Sequence, residues 1–125
     1  MVGVLLLLLA SAAGPASGYS ELYTACMARG DAASGVTSAM MDCISAELEQ
    51  QDDRLNHVYR ARIASVGPSR AAALRTAERS WIRSRAVRCH RVAQAEEGGS
   101  LGGLLYAGCI LDAIIARTRW LEAYR

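Results

Sequence analysis

The chain has 125 residues, 52% of them hydrophobic and 21% charged, and its net charge of +2 hides an asymmetry. Residues 1–53 carry seven acids and one Arg, a net of −6, while residues 54–125 carry thirteen Arg and five acids, a net of +8. With an apolar leader at the N-terminus such a dipole argues against nucleic acid, and it leaves anionic envelope polymers or lipids as partners for the Arg-rich side.

Residues 1–18 read as a secretory signal peptide. Val4 to Ala10 is an apolar run, small residues follow, and Ala16-Ser17-Gly18 offers small side chains for a signal peptidase. The segment before the run has no Lys or Arg. The run is too short to span a bilayer with margin. Residues 19–125 then form one domain, periplasmic or secreted.

Residues 19–35 contain Gly30 and Gly35 and no sustained period, so the mature chain starts irregularly, with one short helix around Glu21 to Arg29. The first long helix is expected from Thr37, as N-cap, to just before Gly67. Its apolar stripe reads Met41, Ile44, Leu48, Asp52, Leu55, Tyr59, Ile63, Val66. Pro68 suits the first turn of the second helix, which runs to about Ala95. The stripe of that helix reads Ala71, Leu74, Glu78, Trp81, Ile82, Arg85, Cys89, Val92. Glu96-Glu97-Gly98-Gly99-Ser100 is a turn, and the third helix covers Leu101 to Tyr124. Leu104, Leu105, Ile110, Leu111, Ile114 and Ile115 cannot share one stripe. That helix is therefore buried between neighbours rather than in a membrane, and the mature chain has no membrane span. The fold class is all-α, a three-helix antiparallel bundle with an irregular N-terminal segment.

The four cysteines are Cys26, Cys43, Cys89 and Cys109. An even count in a short exported chain reads as two disulfides. There is no CxxC pair, and His57 and His90 are not at ligand spacing, so no metal and no cofactor are expected. Residues paired across an antiparallel hairpin share a midpoint at the turn. Cys89 and Cys109 share position 99, whereas Cys43 and Cys89 share position 66, which this arithmetic leaves open. The preferred pairing is Cys89–Cys109 with Cys26–Cys43. The same arithmetic sets Arg117 opposite Trp81.

Asp52 and Arg85 are charges on oily stripes. A lone charge in a core is costly, so Asp52, Arg85 and Arg117 are expected to form an ion-pair cluster among three helices, fixing their register. Tyr59 and Trp81, on the same stripes, read as core.

The series Asp52-x-x-Leu55-Asn56-x-x-Tyr59, Trp81-x-x-x-Arg85-x-x-x-Cys89, Gly98-Gly99-Ser100, then Cys109 with Arg117 and Leu121, resembles the lysozyme-inhibitor LprI-like family of exported bacterial proteins. The resemblance covers about residues 26–125. It implies a small helical, cysteine-containing envelope protein and, by the family's name, inhibition of lysozyme. It marks Asp52, Asn56, Tyr59, Trp81, Arg85 and Arg117 as a motif cluster. The chain departs from the family pattern at Glu78, Ala86 and Ile114, where Gln, Asp and Thr are frequent.

Catalysis fits poorly. A glycosidase needs two carboxylates facing one cleft, and Arg85 beside Asp52 and Glu78 argues for a salt-linked carboxylate. No nucleophile triad is present, and oxidised cysteines are not nucleophiles. The leading expectation is a non-enzymatic inhibitor that binds lysozyme directly. Asp42, Glu47, Glu49, Asp52 and Asp53 give the first helix an acidic segment that steers a cationic partner. The Glu96, Glu97, Gly98, Gly99, Ser100 turn is the inserting loop. The alternative is an envelope-binding module in which Arg75, Arg79 and Arg83, an i, i+4 row, hold anionic polymer or lipid headgroups.

Overall fold

The computed structural model describes residues 18–95 and 99–125, and the helices it contains are α1 (Glu21–Met27), α2 (Gly30–Ala33), α3 (Thr37–Ser65), α4 (Pro68–Gln94) and α5 (Ser100–Ala123). No strand occurs among the described residues. The three long helices are those read from the sequence. Pro68 opens α4 at its first turn, after the extended Gly67, where the missing N–H has no helical partner to lose. Thr37 is the first residue of α3 and not its cap. Val36 holds the cap position, and no side chain bonds to that helix end. In α1, Ser20 caps the helix by accepting from the backbone N–H of Tyr23. The single turn of α2 is too short to leave a period in the sequence.

α5 is the middle helix. It packs against both α3 and α4, which touch each other only sparsely. It runs parallel to α3: Met41 packs on Gly103, and twenty residues further on Arg62 donates from Nε and Nη2 to the carbonyls of Leu121 and Glu122, at 2.8 and 2.7 Å. These bonds satisfy carbonyls that the end of α5 leaves open. α4 runs antiparallel to both.

The core has two parts. Leu55, Leu74, Ile114 and Leu121 form one, with Tyr59 and Trp81 packed against it, as the stripes predicted. Ile44, Leu111 and Ile115 form the other, with Tyr19 and Tyr23 from the N-terminal segment. α5 is long and apolar enough to cross a membrane, yet here Leu111, Ala113, Ile114, Ile115 and Leu121 are buried inside the protein. Ile82 and Val92 of the predicted α4 stripe are exposed. Trp81 and Ile82 are adjacent and straddle the stripe, so only one of them turns inward.

The disulfides are Cys26–Cys43 and Cys89–Cys109, with Cα atoms 5.8 and 5.5 Å apart. The first clips α1 to α3, the second α4 to α5.

Candidate functional site

The motif residues separate into two places. Arg117 Nε donates to Glu78 Oε2 at 2.9 Å, and both side chains are nearly buried. The Arg117 guanidinium lies 3.9 Å from the ring centre of Trp120 and 5.4 Å from that of Trp81, while Arg85 stacks on Trp81 at 4.6 Å. Trp120 in turn meets Tyr124, and Arg70 lies over Tyr124. Arginines and aromatics thus form one ladder from Arg85 to Arg70 along the contact of α4 with α5. Asp52 is outside this ladder. Its one hydrogen-bond partner among the described residues is Asn56, one turn along α3, which donates to it at 3.4 Å near the surface. The expected Asp52–Arg85–Arg117 cluster is therefore corrected: Glu78 is the carboxylate that holds Arg117, and Arg85 is neutralised by no acid among the described residues. Tyr59 is core, packed against the same cluster as Trp81.

A second polar network surrounds Glu47, which the sequence places in the acidic segment of the first long helix. Glu47 and Gln51 are 2% and 5% exposed. Glu47 Oε1 accepts from the backbone N–H of Ser20 at 2.9 Å, and Oε2 from the Ser20 hydroxyl at 2.5 Å. Gln51 Nε2 donates to Glu47 at 2.7 Å and to the Gly18 carbonyl at 3.0 Å. Burial works against the Glu47 carboxylate, but the hydrogen bonds from Gln51 and Ser20 outweigh it, and its pKa falls below the ordinary value. The Tyr19 hydroxyl donates to Asp112 of α5. That bond, then burial, pushes Tyr19 up to about 12, and burial also raises Tyr23. Gly18 has φ +82, and a Cβ there would lie 2.6 Å from Ile115 Cγ2 and 2.9 Å from Arg119 Nη2. The backbone needs glycine at this position twice over.

With Glu47 turned inward, the acidic segment of α3 reduces to Asp42, Glu49 and Asp53. All three are exposed. Spacings of seven and four set them on one face of the helix, along about 16 Å at 1.5 Å per residue. None of them has an ion-pair partner among the described residues. Arg54, beside them, is held by Glu122 at 2.8 Å.

Arg75, Arg79 and Arg83 are exposed on α4, and Arg79 reaches Thr76 at 3.4 Å. Of the predicted turn, Glu96, Glu97 and Gly98 lie outside the described residues. Gly99 has φ +86 and Ser100 begins α5. Among the described residues there is no group of three His, Cys, Asp or Glu side chains able to hold a metal. His57 and His90 are exposed, with His90 against Tyr106.

The arrangement offers binding surfaces rather than reacting groups. The Glu78 carboxylate is salt-linked and closed off beneath the tryptophans, and Asp52 is at the surface of another helix. Among the described residues no pair of carboxylates is presented for acid–base work. Compared with known protein families, residues 26–121 match the family described as lysozyme inhibitor LprI. No curated protein and no solved structure matches the chain.

Proposed function

The chain belongs to the lysozyme inhibitor LprI family, and on that premise we propose that it is a non-enzymatic inhibitor that binds lysozyme directly through the acidic face of α3. The observation that carries this reading is the row of exposed, unpaired carboxylates, Asp42, Glu49 and Asp53. Lysozymes of the animal type are cationic, and a row of free carboxylates raises the rate of encounter with such a partner. Met41 packs on Gly103, so the start of α5 lies at the Asp42 end of this row. Gly99 and Ser100, at that start, are then the second contact. Export to the periplasm or medium, through the leader, is part of this reading, and two disulfides suit an oxidising compartment.

The test is lysis of cell walls by an animal-type lysozyme in the presence of the oxidised, processed protein. The expected result is stoichiometric inhibition, weakened about tenfold at low salt in a D42N/E49Q/D53N variant and less so at high salt. No inhibition at a large excess of folded protein would remove this function. Full inhibition by the triple variant would remove the α3 face and leave the turn.

A further inference from the structure

α4 is the most basic element of the chain. It carries seven arginines, and its one acid, Glu78, is buried and held by Arg117. Arg83, Arg88 and Arg91 surround an open, shallow hollow of about 440 Å³ whose other walls are Ser80, Ser84 and Val87. None of these three arginines has an ion-pair partner among the described residues. The Ser84 hydroxyl is spent on the Trp81 carbonyl, at 3.2 Å. Three unpaired guanidinium groups around one hollow are an anion site in search of phosphate, which their planar forks bind bidentately. The row read from sequence, Arg75, Arg79 and Arg83, shares only Arg83 with it.

Two features select the source of the phosphate. Val87 lies within the hollow and is 53% exposed. Arg88 also borders the neighbouring groove between α4 and α5, whose walls include Val92, Leu104 and Leu105. Cationic and apolar ground are therefore contiguous. A soluble polyanion gains nothing from exposed valine and half-buried leucine, whereas a bilayer surface offers phosphate and, just below it, acyl chain.

We propose that the outer face of α4 docks on an anionic lipid bilayer, with Arg83, Arg88 and Arg91 on headgroup phosphates and Val87 against the acyl boundary. α5 lies between α4 and α3, so the docked protein turns the acidic face of α3 away from the lipid. The proposal does not depend on the lysozyme reading, and its test uses no lysozyme.

The experiment is flotation of the oxidised, processed protein with vesicles of phosphatidylglycerol and phosphatidylcholine, against vesicles of phosphatidylcholine alone, over a range of salt. Binding is expected only to the anionic vesicles and is expected to fall with salt. An R83Q/R88Q/R91Q variant should bind about a hundredfold more weakly, at about fivefold for each arginine near the surface. These side chains are exposed and Gln is a good helix former, so the variant keeps the fold, checked by circular dichroism. Val87→Ser should weaken vesicle binding while leaving binding of soluble polyphosphate unchanged. Equal binding to neutral vesicles, or wild-type binding by the triple variant, would overturn the proposal. Vesicle binding indifferent to Val87→Ser and fully competed by polyphosphate would overturn it in favour of a soluble polyanion.

Discussion

Replacing Arg117 by Met separates the two possible partners of that arginine. The substitution removes the guanidinium and keeps helix propensity and much of the apolar stem. Glu78, 6% exposed, then holds a charge with no counter-ion. Losing one partner of a buried pair costs about 3–5 kcal/mol. Arg117 keeps 11% of its side chain exposed, so some water reaches the site and the lower end, about 3 kcal/mol, applies. Two cation–π contacts, to Trp81 and Trp120, go with it. Taking about 4 °C of melting temperature per kcal/mol for a domain of this size, the midpoint should fall by about 12 °C. Asp52→Asn touches one weak surface hydrogen bond and should stay within about 0.5 kcal/mol. Adding Glu78→Leu to Arg117→Met should recover part of the loss, because the orphaned charge is gone, with a coupling of about 2 kcal/mol. Urea denaturation followed by circular dichroism at pH 7 measures five proteins: the wild type, Arg117→Met, Glu78→Leu, the double variant and Asp52→Asn. An Arg117→Met cost below about 1 kcal/mol, or an Asp52→Asn cost equal to it, would refute the assignment of Glu78 as the partner.

Glu47 has a pKa below its ordinary 4.5 in the fold, so its stabilisation is complete above that pH and is lost as pH falls through the folded value; Glu47→Gln should flatten the acid limb of a stability–pH curve. Tyr19 moves the other way, from 10.0 to about 12. Its contribution is complete below pH 10 and is lost as pH rises towards 12, a slope that Tyr19→Phe should remove. Opening either disulfide, which close loops with separations of 17 and 20 residues, should cost about 3 kcal/mol, read as a lowered melting temperature in reductant or in paired Cys→Ser variants. Gly18→Ala places a Cβ against Ile115 in a left-handed backbone and should cost about 1–3 kcal/mol in a thermal melt. Because the Gly18 carbonyl also accepts from Gln51, the exported chain should begin at or ahead of Gly18, not after it as the 1–18 signal peptide read from the sequence implies; N-terminal sequencing that finds Tyr19 first would count against these contacts in the mature protein.

The long helices were legible because their punctuation is local. Gly67-Pro68 ends one helix and starts the next, and Gly98-Gly99 is unmistakable as a break. Hairpin arithmetic favoured Cys89–Cys109 while leaving Cys43–Cys89 open, and Cys26–Cys43 was what the preferred pair left. Arg117 opposite Trp81 came from the same rule, and the two are in contact. The carboxylates were misassigned for a physical reason. Ile44, Leu48, Asp52, Leu55 and Ile44, Glu47, Gln51, Leu55 are both sets of three- and four-residue steps, and apolarity favours the first. What buries the second set is the segment Gly18–Ser20, which brings the donors and acceptor that Glu47 and Gln51 need. That segment is far away in sequence and has no period, so no pattern along α3 announces it. The Arg83, Arg88, Arg91 hollow was hidden likewise, because steps of five and three are not the i, i+4 row that the eye selects.

The separation of charge and the position of α5 explain each other. A helix apolar on more than one face must be covered on more than one side, and α3 and α4 cover it while barely touching. Each flanking helix then keeps an outer face that owes nothing to the core. Opposite signs can be placed on those two faces without neutralising one another, because the apolar helix stands between them. One face presents Asp42, Glu49 and Asp53, and the other Arg83, Arg88 and Arg91, all unpaired among the described residues. Under the two proposals together, docking by the basic side keeps the acidic side clear for a cationic enzyme. Without the docked basic side, a net charge of +2 would work against that encounter. Salt weakens both contacts. The two charge sets should nevertheless act independently, with the α4 variant keeping inhibition in solution and the α3 variant keeping its hold on vesicles.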